Sequence, residues 1–405
     1  MRIFFSVGEP SGDLHGANLI RALCQRRGDL QVTGFGGPRM AAAGCELVED
    51  LTQFAVMWFL RAALQLPHFL RLLRRAEACF RHQRPEGVVL IDYPGFNWWI
   101  ARRAKRHGIP VVYYSAPQLW AWAPWRIRKM RRYVDQVLCL LPFEEDWYRR
   151  RGCQATYVGH PYFDELGRQT MDGQFLAEQR ALPGRLVTIL PGSRTQEVVS
   201  NLPAFLKAAA KVREQVPDVR FAVAAFHEKQ AAFARAQVRQ ARLVADVFAG
   251  RTPELIRLAH SCMACSGSVS LELLYHEKPA VILYSINPIA FAAQRALRTV
   301  KYITLVNLLA SRDPFPADLS TYDPDRPGSE AVPFPEYLTY RDVSGRMARH
   351  LVAWLCDAGE RDRRVQQLRQ LKQRLGQPGA SGVAAEFILD WLSGLSRGAL
   401  QPAAA

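Results

Sequence analysis

The sequence predicts an α/β protein with two parallel sheets, each covered by helices on both faces. Three observations lead there. Strand-like apolar runs alternate with helical patterns, the alternation comes in two separate series, and 405 residues are more than one ordinary core organises. A polar stretch containing turn formers, 167–184, lies between the series and reads as a linker.

The first series contains RIFFSV (2–7), QVTGFG (31–36), GVVLID (87–92), VVYYSA (111–116), QVLCLL (136–141) and ATYVGH (155–160). Each is rich in β-branched or aromatic residues and runs into Gly, Pro, Ser or Asp, as a buried parallel strand does. The second series contains RLVTILPGSR (185–194), VRFAVAAF (219–226), SCMACSG (261–267) and AVILYS (280–285). From Val343 the pattern is helical and basic, and it closes on the small-residue tail QPAAA. The expected boundaries are 1–170 and 184–342 for the two domains, 343–396 for a helical segment, and 397–405 for the tail.

Composition narrows the classes. Hydrophobic content of 49% and charged content of 22% are those of a globular protein, and no run reaches the eighteen or so uninterrupted apolar residues of a membrane span. Gly8 to Asp13 interrupts the pattern of a signal peptide, and eight scattered cysteines suit a reducing compartment. Cys262 and Cys265 have metal-ligand spacing but no second pair, so core packing explains them. The net charge of +16 leaves nucleic acid, anionic lipid and phosphorylated substrates all open.

Ligands of open α/β sheets collect beyond the carboxyl ends of the strands, so those ends carry the candidate chemistry. After the first strand come Gly8, Gly12 and Gly16, spaced four and four, with Glu9, Asp13 and His15 between them. That spacing is not the dinucleotide fingerprint and disfavours hydride transfer. Asp92 follows the apolar strand GVVLI and precedes a Pro-Gly turn. It suits a general base in a cleft, and equally a turn aspartate bonded to its own backbone. Pro191-Gly192-Ser193-Arg194, with Glu197 three residues on, combines a glycine turn, a helix start and a guanidinium. This suits a phosphate or diphosphate, or an ordinary capped turn. Ser266-Gly267-Ser268 opens a helix carrying Glu272, a carboxylate placed to accept from ribose hydroxyls or to favour the helix start. Two aromatic and basic segments complete the set: Trp120, Trp122 and Trp125 before an arginine-rich helix, and 54–84 with Trp58 and Phe59. Both fit a bilayer interface, and both fit core packing beside solvated cations.

The ordered set SVGEPSGDLHGANLI, IDYPGFN, APQLWAW, LPFE, YVGHP, LPGSRTQEV, SGSVSLE and VNLLA resembles the lipid-A-disaccharide synthase family. The resemblance runs from residue 3 to about residue 340. It implies a glycosyltransferase-B architecture, two Rossmann-like domains facing across a cleft with a C-terminal helical segment, and no metal or cofactor. It further implies an inverting transfer from UDP-2,3-diacylglucosamine to 2,3-diacylglucosamine 1-phosphate (lipid X), giving the β-1,6 lipid A disaccharide 1-phosphate and UDP. Carried over by motif, Asp92 is the base with Glu9 as the alternative, and Arg194 lies by the diphosphate with Gly192, Ser193, Glu197 and Ser266 to Ser268. Glu272 holds the ribose, and Asn307 lies in the nucleotide site. Gly12, Asp13, His15, Trp58, Phe59, Trp120 and Trp122 face the acceptor or the membrane. A homodimer exchanging C-terminal segments, peripheral on the cytoplasmic face of an anionic inner membrane and without nucleic acid, is also implied.

Two departures from the family pattern stand out. Met57-Trp58 replaces an expected Met-Gly, and the turn after Asp92 is Pro94-Gly95 where many relatives have a second Asp. The rival readings are a UDP-N-acetylglucosamine epimerase or polyprenyl-acceptor transferase of the same fold, and a basic nucleic-acid-binding protein.

Overall fold

A computed structural model describes residues 1–52, 66–376 and 378–398. The chain divides into two compact units. Residues 1–165 and 378–405 form the first, and residues 166–377 form the second.

The first unit holds a seven-stranded parallel sheet in the order β3-β2-β1-β4-β5-β6-β7. Its strands are β1 (Arg2–Val7), β2 (Gln31–Gly36), β3 (Cys45–Asp50), β4 (Gly87–Ile91), β5 (Val111–Tyr114), β6 (Gln136–Cys139) and β7 (Ala155–Tyr157). The two-residue period of a strand sends alternate side chains to opposite faces. Ile3, Phe5 and Val7 of β1 join one core with Ala17, Ile20 and Leu23 of the helix Pro10–Arg26. Phe4 points the other way, where its ring meets Phe35 and Phe80 edge to face at 5.6 and 5.1 Å.

The second unit holds a six-stranded parallel sheet in the order β10-β9-β8-β11-β12-β13. Its strands are β8 (Leu186–Leu190), β9 (Arg220–Ala225), β10 (Asp246–Ala249), β11 (Ser261–Cys265), β12 (Ala280–Ser285) and β13 (Glu336–Thr339). Val187 and Ile189 pack with Leu202 and Phe205 of the helix Thr195–Gln215 and with Met347, Leu351 and Trp354 of the helix Ser344–Cys356. Cys262 and Cys265 are buried in β11, where burial pushes both thiols up to about 12.

β3, β10 and β13 do not figure in the sequence reading. All three are sheet edges and carry acidic residues among their apolar ones, so they give little apolar signal. The stretch read as a linker contains the helix Gly173–Ala181, and the helical segment over 343–396 contributes to both units. Helices Ser344–Cys356 and Ala358–Leu375 belong to the second unit. The last helix, Ala380–Gly398, belongs to the first, where Ala384, Ala385, Ile388 and Leu392 are buried in the β1 core. Its apolar face needs a core to cover it, and helix Pro10–Arg26 and the sheet supply one. Among the described residues no helix is long and apolar enough to cross a membrane.

Leu392 is 1% exposed, and its side chain lies where a Cβ on Gly87 would come within 2.9 Å. Leu392→Ala should therefore cost about 2–4 kcal/mol of stability, measured by denaturant unfolding.

Candidate active site

In each sheet the strand order reverses at one place, and there the loops part to leave a crevice at the carboxyl end. In the first unit this is between β1 and β4, and in the second between β8 and β11. The turns at those strand ends are Gly8-Glu9 and Asp92-Tyr93 in the first unit. In the second they are Pro191 to Arg194 and Ser266 to Ser268. Both switch points thus carry the loops that the sequence marks as chemical.

The glycines after β1 serve close packing. A Cβ on Gly8 would lie 2.2 Å from the Tyr93 ring, and one on Gly12 would lie 2.8 Å from a Val7 methyl and 3.6 Å from Oδ2 of Asp92. The helix Pro10–Arg26 therefore sits directly on the sheet and over the Asp92 corner. Asp92 and Tyr93 are both left-handed, each with φ 46°, a conformation that costs energy for residues with a side chain.

Neighbouring groups hold this corner. The Asp92 carbonyl accepts from Asn97 Nδ2 at 2.8 Å and from the Tyr113 hydroxyl at 2.6 Å. Asn97 is buried, donates also to the Ile91 and Ser6 carbonyls, and accepts from the Ser6 hydroxyl at 2.7 Å. On the side chain, Ser115 Oγ donates to Asp92 Oδ1 at 2.9 Å, and Ser115 is itself left-handed at φ 53°. Burial pushes the Asp92 carboxyl up to about 7. The Ser115 hydroxyl opposes the shift, and the Glu9 and Glu144 charges add to it. A carboxyl that titrates near neutrality can accept a proton from a hydroxyl and release it again. Glu9 is the N-cap of the helix Pro10–Arg26, close enough for its charge to bear on Asp92.

Other residues expected at the acceptor side are engaged elsewhere. Asp13 is buried and accepts from the N–H groups of Gly37, Arg39 and Met40 at 2.9, 3.1 and 3.1 Å. It anchors the start of the helix Pro38–Ala42 and has little left for a ligand. His15 is buried with its ring 6.2 Å from that of His160, and burial pulls the two down to about 4 and about 3, so both are neutral at pH 7. Trp120 is 1% exposed and donates to Glu144 Oε1 at 2.8 Å, which corrects the expectation that it faces acceptor or membrane. Glu144 also accepts from the Leu140 and Leu141 N–H groups, a buried anchor that sequence reading did not single out. Trp122 does remain 45% exposed, with Arg126 stacked 4.8 Å from its ring centroid. Trp58 and Phe59 lie outside the described residues.

At the second switch point, Gly192 has φ 132°, and a Cβ there would come within 2.5 Å of Glu197. Glu197 Oε2 accepts from the N–H groups of Ser193 and Arg194, both at 3.1 Å, so it caps its own helix and occupies donors that an anion would use. The Arg194 guanidinium is 79% exposed, with Nη1 3.5 Å from Glu197 Oε1. The Ser266-Gly267-Ser268 turn is largely open, and its helix is closed by Ser270 Oγ donating to the Gly267 carbonyl at 2.9 Å. Glu272 is buried in that helix. Asn307 uses both ends of its amide on the Phe334 backbone and also donates to Glu336 Oε2 at 2.9 Å, so its side chain staples a helix to β13. Asn201, like Asn97, is a buried strand-end bridge: it donates to the Pro191 carbonyl and accepts from the Ser285 N–H. Among the described residues no cluster of three His, Cys, Asp or Glu is placed to hold a metal ion.

Two such helix-covered parallel sheets in one chain define the glycosyltransferase-B fold class. Solved structures share this fold over most of the chain. S. aureus MnaA, solved with UDP, has a TM-score of 0.65 at 11% identity and covers 97% of each chain. MurG of Acinetobacter baumannii has a TM-score of 0.55 at 14% identity, covering 96% of this chain and 99% of that one. Within the class, the family model described as lipid-A-disaccharide synthetase matches residues 3–321, and the chain belongs to that family. The lipid-A-disaccharide synthase of Myxococcus xanthus is 31% identical over 96% of this chain and 97% of its own. That of Alkalilimnicola ehrlichii is 37% identical over 76% of this chain and 82% of its own.

Two outcomes follow from the Asp92 corner. Ser115→Gly removes the hydroxyl yet keeps a residue that tolerates left-handed backbone, so the rising limb of activity against pH should move above about 7. A buried carboxyl whose folded value is raised stabilises the fold while protonated, and that stability is lost as pH rises through about 7. Asp92→Asn should therefore melt higher than wild type at pH 8 and lose the advantage toward pH 5.

Proposed function

We propose that this enzyme joins two acylated glucosamine units. The donor is UDP-2,3-diacylglucosamine, the acceptor is 2,3-diacylglucosamine 1-phosphate, and the products are a β-1,6-linked disaccharide 1-phosphate and UDP. The observation that carries the reading is the Asp92 corner. A carboxylate with a pKa near 7, held in strained backbone at a sheet switch point, is built for proton transfer from a sugar hydroxyl.

In this mechanism Asp92 takes the proton of the acceptor 6-hydroxyl while that oxygen attacks the anomeric carbon from the face opposite UDP. The C–O bond to the diphosphate breaks as the new one forms, the sugar passes through oxocarbenium character, and configuration inverts. Charge gathers on the departing diphosphate, where the Arg194 guanidinium offers a planar pair of donors. Because Glu197 already satisfies the Ser193 and Arg194 N–H groups, the assignment of that turn falls on the Arg194 side chain and on the open Ser266 to Ser268 turn. Glu272 is assigned to the ribose. Glu9 tunes the Asp92 proton through its charge, and it is the alternative base.

The exposed pair Trp122 and Trp125, with Arg126 over Trp122, supports contact of the first unit with an anionic lipid surface that holds both substrates. The setting proposed is the cytoplasmic face of an inner membrane.

The test is direct. Purified protein mixed with the two acylated sugars should yield UDP and a disaccharide by mass spectrometry. Asp92→Asn and Arg194→Ala should each lower turnover about a hundredfold or more. Full turnover by Asp92→Asn with loss in Glu9→Gln would move the base to Glu9.

A further inference from the structure

The helix Pro288–Leu297, after β12, is inside out. Ile289, Ala292, Ala293, Ala296 and Leu297 recur at helical spacing and all face solvent, with Ile289 84% and Leu297 50% exposed. No residue of the helix is buried. The side turned toward the protein carries Phe291 and Gln294, and next beyond the helix comes the buried Arg298, whose guanidinium donates to the Leu319 carbonyl. A helix that serves its own core does the reverse, with its apolar stripe inward. The arrangement is nonetheless anchored. Asn287 Oδ1 accepts from Ala290 N–H at 2.7 Å at its start, and the Phe291 ring packs 5.3 Å from that of Tyr340.

The surroundings name the partner. Arg295 and Arg312 are exposed, Lys301 follows a few residues on, and the Arg341 guanidinium lies 5.5 Å from the half-exposed Tyr340 ring. Asp313 is the nearby acid in sequence, and one of its carboxylate oxygens accepts from the Phe315 N–H. An apolar arc that carries Arg295, with Tyr340 and Arg341 packed beside Phe291, suits an anionic lipid surface, where the stripe enters the acyl boundary and the cations meet headgroups. We infer that helix Pro288–Leu297 is a bilayer-docking element of the second unit, independent of the tryptophans of the first. It sits just past the carboxyl end of β12, the neighbour of β11 in the sheet, so docking would bring the Ser266 to Ser268 loop of that unit to the lipid. The inference rests on the proposed function only for the premise that the donor is a lipid.

The experiment uses the full chain and vesicles of phosphatidylcholine with phosphatidylglycerol. An environment-sensitive fluorophore on Ile289→Cys, in a Cys356→Ser background, should shift to the blue when vesicles are added. The same probe on Val244→Cys, an exposed position at the amino end of β10, should stay unchanged. Ile289→Ser with Leu297→Ser should lower the vesicle-bound fraction about tenfold in low salt while UDP affinity by calorimetry stays at the wild-type value. An unmoved probe at Ile289, or unchanged vesicle binding by the double variant, would overturn the inference. So would a shift that appears with rising protein concentration and no vesicles, which would assign the stripe to a second copy. Vesicle docking as described, without UDP binding or disaccharide formation, would sink the proposed function alone.

Discussion

The hydrogen bonds from Asn97 and Tyr113 to the carbonyl of Asp92 are the constraint on which the geometry of that corner depends. Two consecutive left-handed residues do not persist unless their surroundings over-determine them. Here the carbonyl is tied twice and the carboxylate once, while Gly8 leaves room for the Tyr93 ring that the twist throws toward it. Removing Asn97 would free the Ser6, Ile91 and Asp92 partners together, so a single buried amide sets both the end of β4 and the aim of the carboxylate.

The same economy of buried amides and carboxylates recurs at other strand ends. Asn201 joins the ends of β8 and β12, Asn307 and Glu336 join a helix to β13, and Asp13 and Glu144 each gather backbone N–H groups. Polar side chains at a carboxyl edge are thus divided between those that build the edge and those left to face a ligand. Asp92 and Glu9, both partly exposed, and the exposed Arg194 are the ones the proposed mechanism draws on.

That division explains what the sequence could and could not reveal. The alternation of apolar runs and helices marks ten of the strands by their apolar character, and β3, β10 and β13 escape because these edge strands mix Glu46, Glu49, Asp50, Asp246 and Glu336 into their runs. Asp92 was legible because it follows an uninterrupted apolar strand. Asp13, Glu197 and Asn307 read as ligand groups because a helix cap and an anion site draw on the same residue types. Only the position of the Gly37, Ser193 and Phe334 backbone groups separates the two. The tryptophans leave the same choice open: three in six residues look alike in sequence, and packing claims Trp120, sealed under Phe143, while Trp122 stays exposed. Asn97 and Ser115 were within quoted motifs, yet nothing local marks an amide that reaches the strand end five residues back.

The return of helix Ala380–Gly398 to the first unit has a consequence for biosynthesis. During translation the β1 sheet leaves the ribosome with one wall absent, since Ala384, Ala385, Ile388 and Leu392 are made after the whole second unit. The first unit to emerge is therefore the last to close, and until then its apolar flank must be tolerated or shielded.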